Sequence, residues 1–267
     1  MVEAKTLSEI LAEQVTEVAI GFDASLKRHI AALKNCPALS DATKKHIAKR
    51  VPTNTLTKYQ TPENAISLLS LEIEDLGLRI SRYQFIERYR EYFAAPNTEM
   101  RTAFVMHTHS LRGSEIYVIM ERCGSFLDFF YDLATDLSLN PTKLSKTLQT
   151  RFKKDFERHL RERHRIVHAH ERPTLISRMT SIPPDAIEKP EVADTLKNVL
   201  ETFVGVMTPA FKSLFETQDP AYWMKRINDY RLQAVDKECL HMWSIFLDSL
   251  TKLIDSTKLL KGSVTAP

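Results

Sequence analysis

Residues Thr61 to Tyr83 read TPENAISLLSLEIEDLGLRISRY. Thr61-Pro62 is a helix start, a hydroxyl to cap the first turn and a proline where no N–H is needed. Behind it Ile66, Leu69, Ile73, Leu76, Ile80 and Tyr83 alternate by three and four. That spacing puts all six on one face for about three heptads, so this segment is a long helix lying along another helix.

The same periodicity extends outward in both directions. Ile10, Leu11, Val15, Val18, Phe22 and Leu26 predict a first helix over about Leu7–Leu33. A polar, proline-marked stretch from Cys36 to Gln60 reads as a linker, with a short helix near Asp41–Arg50. After Tyr83 the long helix is expected to fade near Ala94–Asn97. A shorter one follows over Glu99–Ser110, and a turn is expected at Arg112-Gly113. Ser114 then caps a helix to about Leu137 that carries Phe126, Leu127, Phe129, Phe130 and Leu133. Asn140-Pro141 predicts the start of another helix, which Pro173 stops. Further helices fit Val192–Val206 and Pro209–Phe215, and Asp219-Pro220 opens a last long one with an apolar stripe through Trp243, Phe246, Leu250, Leu253 and Ile254. The tail from Gly262 is expected to fray. No alternating strand pattern stands out, and six glycines are few for sheets or Gly-rich nucleotide loops. The expected fold is all-α, a bundle of long antiparallel helices. Residues 1–60 form a helix and linker packing on a bundle of residues 61–267.

Composition narrows the function only slightly. A hydrophobic fraction of 43% and a charged fraction of 27% are ordinary for a globular chain. The net charge of +3 does not by itself indicate a nucleic-acid binder. Cys36, Cys123 and Cys239 form no CxxC pair, which argues against a disulfide framework or a cysteine-zinc site and fits a reducing compartment. The N-terminus lacks a signal-peptide layout, and Asp128, Asp132 and Asp136 interrupt the longest apolar run, so a cytoplasmic protein without a membrane span is expected.

Charge is concentrated in Arg151–Pro173, RFKKDFERHLRERHRIVHAHERP. From Lys143 to Arg172 ten cations face four acids, a local excess of +6 that outweighs the +3 of the whole chain. His159, His164, His168 and His170 are interleaved with Arg158, Arg161, Arg163, Arg165 and Arg172. Imidazole titrates near neutrality, and guanidinium grips phosphate in a fork. Read as one helix over about 141–171, the segment turns Leu148, Phe152, Phe156, Leu160 and Val167 to the core, with Arg163, His159 and His170 on that side. Arg161, Arg165, His164 and His168 fall on another face. Arg163 at an apolar position must pair with an acid such as Glu72, Glu74 or Asp128, or line a cleft. His159 reads as a packed or surface residue. The i, i+4 pair His164 and His168 has no third donor at a set distance, so no metal site and no cofactor is expected. Asp128, Asp132 and Asp136 form an acidic edge that either holds a basic helix or is solvated. His107 and His109 suggest no chemistry.

Arg163-His164-Arg165-Ile166-Val167-His168 resembles the R-x4-6-H motif of the HEPN family (higher eukaryotes and prokaryotes nucleotide-binding domains), with His164 where asparagine is usual. Arg163 to His170 and Arg165 to His170 satisfy the looser spacing, so the register stays open. The resemblance covers roughly Ser114–Pro173. It implies a metal-independent endoribonuclease acting as a homodimer on RNA, often in a toxin or phage-defence setting with a regulatory or antitoxin protein as partner. It also implies Arg163 as the charge stabiliser and His168, His170 or His164 as acid or base. Lys153, Lys154, Arg158, Arg161 and Arg165 would hold the RNA backbone by charge. The alternative reading is a non-catalytic helical module that binds RNA, a nucleotide or a protein.

Overall fold

The computed structural model of the chain describes residues 6–33, 35–92, 98–168 and 220–257. In chain order these form α1 (Leu7–Ala32), α2 (Asp41–Ala48), a short 3-10 helix (Thr53–Tyr59), α3 (Pro62–Tyr92), α4 (Thr98–Asp136), α5 (Ser145–Asp155), α6 (Glu157–His168) and α7 (Pro220–Ser256). There is no strand among the described residues, so the fold is all-α. No helix among them is long and apolar enough to cross a membrane, and no disulfide joins Cys36, Cys123 and Cys239. The helices expected over 192–206 and 209–215, the break expected near 94–97 and the C-terminal tail lie outside the described residues.

Local chemistry accounts for the helix starts. Thr6 and Glu9 form a capping box on α1: the Thr6 hydroxyl accepts from the Glu9 N–H, and the Glu9 carboxylate accepts from the Thr6 N–H at 2.7 Å. Ser40 caps α2 in the same way, accepting from the Thr43 N–H. α3 begins at Pro62 and α7 at Pro220, each proline in the first helical position.

Three expectations are corrected. α4 runs without interruption through Arg112 and Gly113, so the glycine is not a turn. The helix expected from Asn140-Pro141 starts instead at Ser145, whose hydroxyl donates to Asp128 at 2.7 Å. The Thr142 N–H donates to Ser256 Oγ at 2.9 Å. Finally, the segment read as one helix over 141–171 is two. Phe156 leaves helical geometry (φ −111°, ψ 22°), ending α5 while its ring stays buried and stacked on Phe152 at 5.7 Å.

The chain divides into two compact units. The first comprises residues 1–82, 115–157 and 239–267. Its seam is the one read from the sequence: Ile66, Leu69, Ile73, Leu76 and Ile80 are all fully buried. Going up α3, Asp75 pairs with Arg122 at 2.7 Å and Arg79 with Glu115 at 2.9 Å, so α3 and α4 are antiparallel. α1 is antiparallel to α3 as well, with Val15 against Gly77 and Asp23 accepting from Ser70. Phe22 meets Phe130 edge-on at 4.9 Å, and Phe126 meets Phe246 of α7 at 5.3 Å. Each such buried aromatic contributes on the order of 1.5–3 kcal/mol. α5 is fixed on the same core by Leu148 and Phe152, and by Arg151 to Asp248 (2.7 Å) and His241 to Asp155 (2.8 Å).

The acidic edge of α4 does not hold the basic helix as a row. Asp136 accepts from the Ser40 N–H (2.9 Å), Ser40 Oγ (3.0 Å) and Thr43 Oγ1 (2.6 Å), and Asp132 meets His46 at 3.1 Å. Two of the three aspartates therefore anchor α2, and Asp128 anchors the start of α5.

The second unit comprises residues 83–114 and 158–238. Its described parts are the later residues of α3, the earlier ones of α4 and α7, and α6 from Arg158 onward.

Candidate nucleic-acid interface

α6 carries most of the residues singled out by the sequence. Arg158, Arg161, His164 and Arg165 are exposed, whereas His159, Glu162, Arg163 and Ile166 are half-buried. Successive residues of a helix are turned by about 100°. The four exposed bases therefore occupy one arc of about 120°, and His168, the last described residue of α6, falls on that arc by register. The side chain of His168 and the whole of His170 lie outside the described residues. Lys153 and Lys154 are exposed on α5, in the first unit.

The inner face of α6 is set by a close approach. A Cβ placed on Gly113 would stand 2.5 Å from the His159 carbonyl oxygen and 2.8 Å from Cβ of Arg163. Glycine is required here because α6 crosses α4 at backbone contact. The Cβ of Arg163 thus lies against the α4 backbone. Of the acids expected as its partners, Glu72 pairs with Arg50 at 2.6 Å, and Asp128 with Ser145 and Lys143.

One turn before Arg163, His159 joins a network that sequence reasoning missed. Its Nε2 lies 2.8 Å from Oε1 of Glu238. The other carboxylate oxygen accepts from Tyr83 Oη at 2.6 Å and from Arg112 at 2.7 Å, and the Arg112 Nε–H donates to Tyr83 Oη at 3.2 Å. Four helices, α3, α4, α6 and α7, meet on this single carboxylate. Burial alone would raise the Glu238 pKa, but the His159 bond, the Arg112 charge and the Tyr83 bond outweigh it and hold it at about 2. Burial, aided by Glu238, keeps the Tyr83 hydroxyl well above the usual phenol range, so it remains a donor. The available signal was positional: Tyr83 lies on the apolar seam, and Glu238 sits between Val235 and Met242 at core spacing.

Chemically, α6 offers two different surfaces. The outer one presents guanidinium forks and imidazole to solvent, a set suited to phosphate oxygens. On the inner one, the bond from His159 to Glu238 ties the helix into an ionic cluster with Tyr83 and Arg112. Among the described residues no group of three His, Cys, Asp or Glu side chains converges as metal ligands would. The chain matches no protein-family model, no curated protein and no solved structure.

Proposed function

We propose that the chain binds RNA along the outer face of α6 and cleaves it as a HEPN-type ribonuclease. The observation that supports this reading is the one-sided array of Arg158, Arg161, His164 and Arg165, all exposed on α6 (Glu157–His168). Phosphates of a single strand would lie along the array, held by charge and released by salt. Cleavage requires loss of the 2′-OH proton, attack of that oxygen on phosphorus and protonation of the leaving 5′-oxygen. In this scheme Arg163 stabilises charge on the phosphorane oxygens, and a histidine, His168 first and His170 or His164 next, moves the protons.

Arg163 and His168 lie about 140° apart around α6. One helix therefore does not bring both to the same phosphate. The reading requires a second copy of the motif helix, which agrees with the homodimer that the resemblance implies. A toxin or phage-defence role, and a regulatory or antitoxin partner, rest on the resemblance alone.

The angular separation equally favours a second reading, in which the array binds RNA without cutting it. Labelled RNA incubated with the protein in EDTA at pH 5 to 9, beside Arg163→Ala and His168→Ala, separates the two. Cleavage lost in both variants supports the ribonuclease. Salt-sensitive binding with no product at any pH supports the binding module.

A further inference from the structure

The clearest device outside α6 is the way α2 is fastened to the first unit. α2 contributes Thr43 and Ile47 to the core, both fully buried. Its remaining hold is polar and aromatic. Asp136 takes Ser40 and Thr43, Asp132 takes His46, and Arg50 just beyond the helix reaches Glu72 at 2.6 Å and Ser125 Oγ at 3.0 Å. His46 stacks nearly flat on Phe129 (5.6 Å, 13°), and the Arg50 guanidinium lies over the same ring at 4.9 Å.

Both ring nitrogens of His46 are engaged, and they require opposite roles. Nε2 faces the Asp132 carboxylate at 3.1 Å and must donate. Nδ1 faces Arg50 Nη1 at 3.5 Å and must accept, because a guanidinium has no lone pair to offer. The neutral Nε2–H tautomer satisfies both. A second proton can go only on Nδ1, where it meets a guanidinium.

We propose that α2 is an acid-released latch: protonation of His46 sets a cation against Arg50 and loosens Asp41–Ala48 from the Phe129 and Asp132–Asp136 strip it covers. The groups facing His46 are Arg50 against protonation, and Asp132 and Asp128 of α4 in favour of it. Burial and Arg50 prevail over the two aspartates, so His46 is held below the ordinary imidazole value. The sign follows. An imidazole harder to protonate in the folded state than in the unfolded chain stabilises the fold above the unfolded value, near 6.5, and that contribution is lost as pH falls below it.

Hydrogen exchange of wild-type protein, corrected for intrinsic rates, tests the latch between pH 7.5 and pH 5. The expected result is a several-fold loss of protection in the peptide spanning α2, with α5 unchanged, and a midpoint coinciding with the His46 titration followed by NMR. His46→Gln, whose amide can still donate to Asp132, should keep α2 protected across the range. An α2 opening midpoint that departs from the His46 titration, or protection unchanged down to pH 5, would overturn the proposal. The NMR comparison needs only wild-type protein, so it decides the matter even if the variant does not fold.

Discussion

Gly113 of α4 lies beneath the carbonyl of His159 in α6, so close that a methyl group would come to 2.5 Å from that oxygen. The neighbour is backbone and cannot rotate away. Gly113→Ala should therefore push α6 outward and destabilise the second unit by about 1–3 kcal/mol, the usual cost of overpacking. Urea unfolding measures it. A variant as stable as wild type would mean that the two helices do not cross at backbone contact.

Gly77 gives a contrasting case. A Cβ there would overlap the side chain of Val15 on α1, not a backbone atom. Gly77→Ala should be destabilising alone, and Val15→Ala should recover part of the loss when combined with it. The double-mutant cycle should thus give a favourable coupling of about 0.5–3 kcal/mol. Strict additivity would contradict the packing described.

Glu238 predicts a pH dependence. Its pKa is held at about 2, against an ordinary value of 4.5. Because the unfolded chain takes up the proton first, the stabilisation is complete above pH 4.5 and disappears as pH falls through 4.5 toward 2. At 1.36 kcal/mol per unit, it is on the order of 3 kcal/mol. Glu238→Gln should lose about that much at pH 7 and flatten the acid limb of a stability profile measured by denaturant midpoint. An acid limb as steep as wild type in the variant would show that another carboxylate is responsible.

These cases also show which features the sequence made legible. The seam from Ile66 to Tyr83, and the proline starts at Pro62 and Pro220, were readable because both signals are local: three-four periodicity and a missing N–H. Gly113 was misread because a glycine within a helix and a glycine in a turn look alike until the crossing partner is known. The break at Phe156 has no proline or glycine to announce it. Ser145 begins α5 with help from Asp128, which lies 17 residues earlier in the chain. The Glu238 network draws on residues as distant as Tyr83, which no short motif reveals. On α6 the exposure of Arg161, His164 and Arg165 followed from helical angle alone, whereas the tie of His159 to Glu238 did not.

The outer face of α6 makes an electrostatic prediction. Arg161→Ala and Arg165→Ala should each weaken RNA binding and reduce the slope of log affinity against log salt by about 0.7, the value for one phosphate contact on a single strand. Fluorescence anisotropy across a salt series reads both quantities. Unchanged affinity and slope in the double variant would remove α6 as the interface.

The most direct measurement of the central claim is cleavage of labelled RNA in EDTA by wild type, Arg163→Ala and His168→Ala, with binding followed in parallel. The account predicts product from wild type, a loss of at least about 100-fold in rate for each variant, and little change in RNA affinity. Cleavage undiminished in both variants, or no product from wild type at any pH from 5 to 9, would contradict it.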